Sequence, residues 1–384
     1  MKGSVRKKGD TWYYRIELGI VDGKRKQKEK GGFRLKKDCE TAMTKAIHDL
    51  ENNFVLPDEK LTFDNIVQNF LTHTKATKKL NTIDRYESLY NIHIKKELAD
   101  LKAMRVSPER LETLFADKKD LSGSTLQLIY TVINSSYDRA IKQKKLNDNP
   151  CKYIDRPTRD KTETEVLTID EALKVLDNLN LNKYNDYIMH LALNICLELG
   201  LRRGELAGLQ WKHIDNNKKT ITVDDNLIYV NGHTYLNYED LKTQASSRTL
   251  PASDDLLRLL EQHRKRQMEN KLLYGTHYID NIYNDEQQYF IMTWQNGKVL
   301  HPNYYTTRIK KIMKKIGIEK NIRFHDIRHT NATLLVQQKV DFKTLQKRLG
   351  HADFNTTMNI YAHVAEDLQR DATDKITSLL HKAK

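Results

Sequence analysis

Residues 323–330 read "RFHDIRHT", and this stretch permits two functional interpretations. His325 and His329 are four residues apart, so on a helix both imidazoles lie on one face, one turn apart. With Asp326 beside the first histidine, the pattern is close to the H-E-x-x-H motif of zinc proteases. His325 and Arg328 are three residues apart and also share a face. An imidazole beside a guanidinium suits a phosphate better than a metal ion.

The zinc interpretation lacks two of the features that it requires. No third-ligand motif follows at short range, and Asp326 is one methylene shorter than the glutamate that acts as general base in the motif. Cys39, Cys151 and Cys196 are too far apart for a disulfide framework or a cysteine zinc site, and they favour a reducing cytoplasm. The sequence therefore favours phosphate chemistry, with no metal or cofactor expected.

The composition indicates two or three domains with a basic surface. The chain has 384 residues, which exceeds one ordinary domain. Its net charge of +14 attracts polyanions, so nucleic acid is the first partner to consider. A solvated lysine-rich surface that serves only solubility is the alternative. The most apolar window, residues 187–201, contains polar side chains and is predicted to be a buried helix, so no membrane segment is expected.

The first 57 residues are predicted to form a small basic module. Apolar and polar residues alternate over residues 11–18 as in a half-buried strand, and Asp22-Gly23 predicts a tight turn before a second strand. Residues 38–53 have helical spacing. With 14 Lys and Arg against 8 Asp and Glu, a strand face could lie in a DNA groove, although a capping subdomain with solvated lysines is the alternative. The candidate DNA contacts in this module are Tyr14, Arg15, Lys24, Arg25 and Lys26.

The next region is predicted to be entirely helical. Thr62 is a capping residue, and apolar residues recur after it at helical spacing, with similar patterns to about residue 150. Lys142, Lys144 and Lys145 near the end of this block are candidate phosphate contacts, although an exposed helix end favours lysine in any case. From Val166 helices dominate again, interrupted between residues 218 and 253 by strand-like segments.

Four motifs in the third region contain residue types that suit phosphate chemistry. They are "ELGLRRGELAGLQW" at 198–211, "LKTQASSRTL" at 241–250, "HDIRH" at 325–329 and "RLGHADFNTTMNIYAH" at 348–363. Each motif alone has an ordinary structural explanation: a lysine in a turn is normally solvated, and a histidine after a C-capping glycine can satisfy the last carbonyls of a helix. Their combination, in this order, indicates a function.

In order and local context, these motifs resemble the tyrosine recombinase (phage integrase) family over essentially the whole chain. "GLRRGEL" is similar to the family's first arginine box, "HDIRHT" to its His-x-x-Arg-His box and "LGHADFNTTMNIYAH" to its Leu-Gly-His…Tyr box. "KT…SSRTLP" resembles the strand turn that carries the family's lysine. Residues 12–33 resemble the three-stranded arm-site domain of integrases from mobile elements. The resemblance implies a catalytic set of Arg202, Lys242, His325, Arg328, His351 and the nucleophile Tyr361.

The resemblance implies a multidomain, mainly α fold with small β-sheets. An arm-site DNA-binding domain with a three-stranded sheet and a helix is expected over residues 1–57. A helical, SAM-like core-binding domain is expected over residues 60–157. A mixed α+β catalytic domain is expected over residues 165–384, ending in a tail helix that docks on a neighbouring subunit or covers its own domain.

The activity that the resemblance implies is site-specific recombination of double-stranded DNA. Strands would be exchanged through a 3′-phosphotyrosine and a Holliday junction, by a homotetramer bound to core and arm attachment sites. A host DNA-bending protein and an excision factor are candidate further partners, and the bacterial cytoplasm is the expected location. A type IB topoisomerase and a catalytically silent DNA-binding protein are the alternatives.

Overall fold

The computed structural model describes residues 3–21, 24–51, 60–159, 165–230, 232–236, 247–283 and 285–350, together with Thr373 and Thr377. For residues 18–21, 24–26 and 49–51 the description covers the backbone only. The chain divides into two compact units, Met1–Lys161 and Thr162–Lys384. The first unit contains two separate apolar clusters, one in the sheet module and one in the helical block. The three-domain arrangement remains a prediction.

The N-terminal module is an antiparallel sheet in the order β1-β2-β3, followed by a helix. Ile16 is 0% exposed, because alternate residues of the central strand face the helix and form a small core. The predicted strand and helix are confirmed, and Val21 pairs with Lys24 as the predicted hairpin requires. The elements are β1 (Gly3–Lys8), β2 (Thr11–Val21), β3 (Lys24–Phe33) and α1 (Lys36–Glu51).

The helical block has its own core, formed mainly by its first and last long helices. Its first helix begins as predicted at Thr62, whose hydroxyl accepts a hydrogen bond from the Asn65 backbone N–H at 3.2 Å. The helices are α2 (Phe63–Thr77), α3 (Leu80–Leu89), α4 (Lys95–Leu98), α5 (Pro108–Ala116) and α6 (Gly123–Lys142), with a π-helical turn at Tyr90–Ile94 and 3₁₀ turns at Ala103–Arg105 and Pro150–Tyr153.

The second unit surrounds one central helix, α8, which packs most extensively against α12. Ile188, Leu191 and Ile195 of α8 are each 0% exposed, which confirms the predicted buried helix. The helices are α7 (Ile169–Asp177), α8 (Tyr184–Leu199), α9 (Arg203–Gly208), α10 (Asp254–Tyr274), α11 (Pro302–Lys315), α12 (Phe324–Gln337) and α13 (Phe342–Leu349). Among the described residues, no helix is both long and apolar enough to cross a membrane.

In the part of the second unit that the structure describes, three small antiparallel sheets accompany these helices. One has the order β4-β5-β8, and the other two are the hairpins β6-β7 and β9-β10. The strands are β4 (Ile214–Asp215), β5 (Thr220–Val223), β6 (Leu227–Val230), β7 (His233–Leu236), β8 (Arg248–Pro251), β9 (Asn281–Tyr283) and β10 (Glu286–Gln288). The mainly α fold with small sheets is confirmed.

The segment between β5 and β8 is closed at its base. Val223 pairs with Arg248 across the two strands, and the Ser247 hydroxyl donates a hydrogen bond to the Asp224 carboxylate. The hairpin β6-β7 lies within this segment of the chain and forms a separate sheet. Residues 237–246, which include the predicted catalytic Lys242, lie outside the described residues.

Helix α9 packs closely against the start of this segment, because two of its residues are glycines. A Cβ atom at Gly204 would lie 1.9 Å from Asn226 Oδ1, and one at Gly208 would lie 3.0 Å from the Asp225 carbonyl carbon. The absence of side chains at both positions therefore permits this close packing, and Arg202 is the N-cap residue of α9.

Candidate active site

A sharp turn between α8 and α9 places the first arginine of the site. Helix α8 ends at Gly200, whose φ of +66° is the left-handed conformation that glycine adopts most easily. Arg202 then has an extended backbone, and its N–H donates to Glu205 Oε2 at 2.8 Å. Arg202 Nη1 also donates to Glu205 Oε1 at 2.6 Å. The motif "GLRRGEL" is therefore a glycine C-cap followed directly by a capped helix start.

Glu205 is the centre of an arginine cluster. Its side chain is 3% exposed, and besides Arg202 it accepts from Arg248 Nη2 at 2.8 Å and lies 3.8 Å from Arg328 Nη1. Burial alone would raise the pKa of Glu205, but the hydrogen bond and charge of Arg248, together with the charges of Arg202 and Arg328, lower it to about 2. Glu205 is therefore ionised at neutral pH and holds three guanidiniums in one place.

Helix C-termini complete the coordination of these arginines. Arg202 Nη2 donates to the Gly350 carbonyl at 2.8 Å, and Arg328 Nη1 donates to the Gly200 carbonyl at 2.8 Å. Arg328 Nη2 donates to the Leu349 carbonyl, and Arg248 Nε donates to the Arg348 carbonyl at 2.7 Å. The ends of α8 and α13 therefore present their negative dipole ends to a cluster of positive charge.

Among the arginines of the cluster, the charged form of Arg328 is destabilised by burial. It is 2% exposed, and burial, followed by the charge of Arg202, lowers its pKa. One carboxylate faces three guanidiniums, so the cluster keeps a net positive charge. An anion such as a phosphodiester would relieve this imbalance.

The structure places His325 beside the two arginines that were predicted to act with it. Partial desolvation, followed by the charges of His329 and Arg328, lowers the pKa of His325 to about 4, and Arg202 adds to the same effect. The residue is exposed at the surface, so water screens part of this shift. Its ring lies 5.1 Å from that of His329, centroid to centroid. His325 is therefore neutral at pH 7 and can accept a proton.

Asp326 caps a helix, which is a different role from that of the general base in a zinc protease. Its side chain is 2% exposed, and Oδ2 accepts from the Arg323 backbone N–H at 2.7 Å and from Arg323 Nε at 3.1 Å. The carboxylate thus caps the N-terminus of α12 and binds the Arg323 guanidinium. The pairing of His325 with Arg328 remains the prediction for the site.

The two adjacent arginines of "GLRRGEL" have different partners. Arg202 contacts Glu205 and Gly350, whereas Arg203 Nη1 donates to Thr306 Oγ1 on α11 at 3.3 Å. Arg202 is therefore the one of the two that belongs to the cluster, and its assignment as the catalytic arginine remains a prediction.

Three members of the predicted catalytic set lie outside the described residues: Lys242, His351 and Tyr361. The described residues adjoin both segments: Ser247 follows the segment with Lys242, and Gly350 precedes the segment with His351 and Tyr361. The predicted tail helix also lies outside this description, apart from Thr373 and Thr377.

Three further residues contribute to the site: Glu205, Arg248 and Arg348. None of them had a separate predicted function, although all three lie within the quoted motifs. Glu205 could have been recognised from the sequence as the third residue after a helix N-cap, where a glutamate commonly returns to the cap. Arg248 contacts Glu205 across 43 residues of sequence, and no local pattern indicates that contact. Arg348 donates to the Glu198 carbonyl at 2.7 Å and joins the ends of α13 and α8.

The predicted DNA contacts outside this site have mixed outcomes. The prediction for Tyr14 is wrong, because its ring is 3% exposed and lies in the core between β2 and α1. Arg15, on the opposite face of the strand, is partly exposed, and the prediction for it stays open. Lys142, Lys144 and Lys145 are exposed and also remain predictions. The side chains of Lys24, Arg25 and Lys26 lie outside the described residues.

The phage integrase family matches residues 165–367, which is more than half of the chain, and an arm DNA-binding domain matches residues 4–50. The chain therefore belongs to the phage integrase family. It is a tyrosine recombinase, an enzyme of site-specific recombination that cleaves and rejoins DNA.

Named relatives extend over nearly the whole chain. A "Tyrosine recombinase XerC-like" protein of Caldanaerobacter subterraneus subsp. tengcongensis is 27% identical, with 96% of each chain covered. The "ICEBs1 integrase" of Bacillus subtilis is 24% identical and covers 83% of this chain and 84% of its own.

Two solved structures share the fold. The Tn1549 transposon integrase in complex with transposon right end DNA has a TM-score of 0.68 at 22% identity, covering 83% of this chain and 100% of that chain. A lambda integrase tetramer bound to a Holliday junction has a TM-score of 0.60 at 16% identity, covering 93% of this chain and 94% of that chain.

Replacing Gly200 with alanine is expected to destabilise the second unit by about 2–4 kcal/mol, combining backbone strain with a steric clash. The new Cβ would lie 2.7 Å from Asn331 Oδ1 and 2.9 Å from Leu349 Cδ2. Urea unfolding followed by circular dichroism measures the change. Gly317→Ala is the matched control, because its φ of +69° is similar and nothing lies within 4 Å of the added atom. Equal losses in the two variants would show that the clash at Gly200 has no effect.

Proposed function

We propose that this enzyme integrates and excises a phage or other mobile element through a 3′-phosphotyrosine intermediate and a Holliday junction. The observation that carries the proposal is the buried Glu205, which gathers Arg202 and Arg328 beside the neutral His325. Such a cluster is suited to a phosphodiester whose charge increases during the reaction. The proposed catalytic set remains Arg202, Lys242, His325, Arg328, His351 and Tyr361.

The nucleophile of the proposed reaction is the Tyr361 hydroxyl. Its oxygen forms a bond to the phosphorus while the bond from phosphorus to the DNA 5′-oxygen breaks, which leaves a 3′-phosphotyrosine and a free 5′-hydroxyl. In the reverse step a 5′-hydroxyl from the partner strand displaces the tyrosine. The number of phosphoester bonds is unchanged, so rejoining needs no ATP.

The remaining residues have separate tasks in this proposal. Arg202 and Arg328 donate to the non-bridging phosphate oxygens, while Glu205 and the carbonyls of Gly200, Leu349 and Gly350 hold the two guanidiniums in position. A free tyrosine hydroxyl has a pKa of about 10, so it needs a proton acceptor at neutral pH. His325 is placed to take that proton, since its lowered pKa leaves the imidazole unprotonated at pH 7.

Two further residues complete the proposed chemistry. The Lys242 ammonium can protonate the departing 5′-oxygen, and His351 can donate a hydrogen bond to the phosphate. Both assignments rest on the family resemblance of their motifs.

The proposed assembly is a homotetramer on two paired DNA sites. The support is the structure described as a lambda integrase tetramer bound to a Holliday junction, whose fold this chain shares over 93% of its length. The arm DNA-binding domain at residues 4–50 supports a second class of DNA site, the arm site, in addition to the core site. A host DNA-bending protein and an excision factor are proposed as further partners.

The test uses a nicked duplex made from the DNA that flanks the gene, because mobile elements usually keep their attachment sites there. We expect a protein–DNA adduct that resists SDS and forms in the presence of EDTA. Specific binding without an adduct would contradict the proposal and favour a catalytically silent DNA-binding protein. Efficient relaxation of supercoiled DNA that contains no flanking sequence would favour a topoisomerase.

A further inference from the structure

The exposed face of the N-terminal sheet has a defined set of residues. Tyr14 and Ile16 of β2 face the core, so Tyr13 and Arg15 face away from α1. Arg6 of β1 pairs with Tyr13, and Glu29 of β3 pairs with Arg15, which places these side chains on the same face. We call it the outer face of the sheet; Lys8 also belongs to it.

The middle of the outer face is flat and aromatic. Tyr13 pairs with Gly31 on β3, and a Cβ atom at Gly31 would lie 1.8 Å from Tyr13 Cδ1. The Tyr13 ring therefore lies directly on the backbone of the neighbouring strand. The Lys8 ammonium lies 5.2 Å from the centre of the same ring.

One carboxylate on the outer face binds three cations from two other strands. Glu29 Oε1 accepts from Lys8 Nζ at 2.7 Å, while Oε2 accepts from Arg6 Nη2 at 2.7 Å and from Arg15 Nη2 at 3.1 Å. The hydrogen bonds from Lys8, Arg6 and Arg15 lower the pKa of Glu29 to about 2, so it is ionised at any physiological pH. The three cations face water and one another around this single negative charge.

This arrangement matters for a surface that meets DNA. Binding to DNA of arbitrary sequence depends on the neutralisation of phosphates by lysine and arginine side chains. Phosphate oxygens that approach Arg6, Lys8 or Arg15 must compete with the Glu29 carboxylate, which already occupies the place of the anion. They also meet the negative charge of Glu29 itself.

We propose that Glu29 is a specificity-determining residue of the arm domain: it holds Arg6, Lys8 and Arg15 together and lowers the affinity of the outer face for DNA of arbitrary sequence. DNA that binds Arg6, Lys8 and Arg15 must displace them from Glu29. The specific contacts of an arm site compensate for these three lost ion pairs, whereas DNA of arbitrary sequence lacks such contacts. The inference rests on the proposed arm-site binding.

The test measures binding of the full-length protein to a random-sequence duplex of about 20 base pairs, a length chosen to cover one module. Binding is followed by fluorescence anisotropy over a series of salt concentrations. Glu29→Gln is expected to bind about tenfold more tightly at low salt, because up to three exposed ion pairs no longer compete. The slope of log affinity against log salt is expected to steepen by about one to three, as the freed cations reach phosphates.

Glu40→Gln is the matched control. It removes the same charge from the same module, but Glu40 lies on α1 and has one ion pair, to Lys36 at 3.5 Å. If the two variants gain affinity equally, the effect belongs to net charge and the proposal is overturned.

Arg15→Gln, made in both backgrounds, separates the inference from the function on which it rests. We expect a small loss of affinity in the otherwise unchanged protein and a larger loss in Glu29→Gln, because Arg15 is more available to DNA when Glu29 no longer binds it. An equal loss in both, with no gain from Glu29→Gln, would overturn the role of Glu29 and leave arm binding intact. If neither change alters binding to random or gene-flanking DNA, the outer face does not contact DNA, and arm binding by this face fails as well.

Discussion

Tyr361→Phe is expected to reduce formation of the covalent protein–DNA adduct by about 10⁴-fold or more, because the phenylalanine ring has no oxygen to attack phosphorus. Binding to the gene-flanking duplex is expected to persist, since the change removes one atom and no charge. The two quantities are measured together: adduct by denaturing gel electrophoresis and binding by anisotropy on the same nicked duplex. The adduct is expected in EDTA for the unchanged protein and is expected to be absent for Tyr361→Phe.

Tyr153→Phe is a suitable control for this experiment. Its side chain is exposed in the helical block, outside the proposed catalytic set, so adduct formation is expected to be unaffected. An adduct of normal yield with Tyr361→Phe would show that another residue is the nucleophile. Peptide mapping of that adduct would then identify it.

Glu205→Gln is expected to destabilise the second unit by about 3–5 kcal/mol, because it leaves buried guanidiniums without their shared counter-charge. We also expect a loss of cleavage activity that exceeds the loss of folded protein, since Arg202 and Arg328 lose the group that positions them. Urea unfolding gives the first quantity. Single-turnover adduct formation, corrected for the folded fraction, gives the second.

The difference in unfolding free energy between the unchanged protein and Glu205→Gln is expected to become smaller at acidic pH. The pKa of Glu205 is lowered from 4.5 to about 2 by folding, so its contribution is fully present above pH 4.5. It is lost as the pH falls through about 2, where the folded protein also binds the proton. A pKa difference of this size corresponds to about 3 kcal/mol. The gap between the unchanged protein and Glu205→Gln should therefore narrow on acidification.

Glu261→Gln on α10 provides the comparison for an exposed ion pair. Glu261 contacts Lys265 at 3.1 Å, and both side chains are more than half exposed, so we expect a change of about 1 kcal/mol or less. If Glu205→Gln were as mild as this control, the arginines would be held by the helix carbonyls alone. The central role assigned to Glu205 would then be wrong.

The secondary structure follows from local patterns in the sequence to a large extent. Alternation around Ile16 predicts β2, the cap at Thr62 predicts the start of α2, and the apolar window predicts α8. The short strands β4, β9 and β10 were not predicted, because two or three residues are too few for a period to show. Their pairing is decided by tertiary contacts.

The arrangement of the candidate site was predictable only in part. Motif order placed Arg202, His325 and Arg328 in one set, and the structure brings these three together. It did not indicate Arg248, whose contact with Glu205 depends on the pairing of β5 with β8. The face of β2 was predicted less well, since alternation shows that Tyr13 and Tyr14 lie on opposite faces but does not show which of the two is buried.

The closed base of the segment between β5 and β8 has a consequence for how this protein can change over evolutionary time. The pairing of Val223 with Arg248, the Ser247 hydrogen bond to Asp224 and the close packing of Gly208 hold both ends in place. Insertions or deletions beyond β6 can therefore accumulate without moving Arg248 away from Glu205. A loop from a relative that replaces residues 237–246 is therefore expected to leave the contact between Arg248 and Glu205 unchanged.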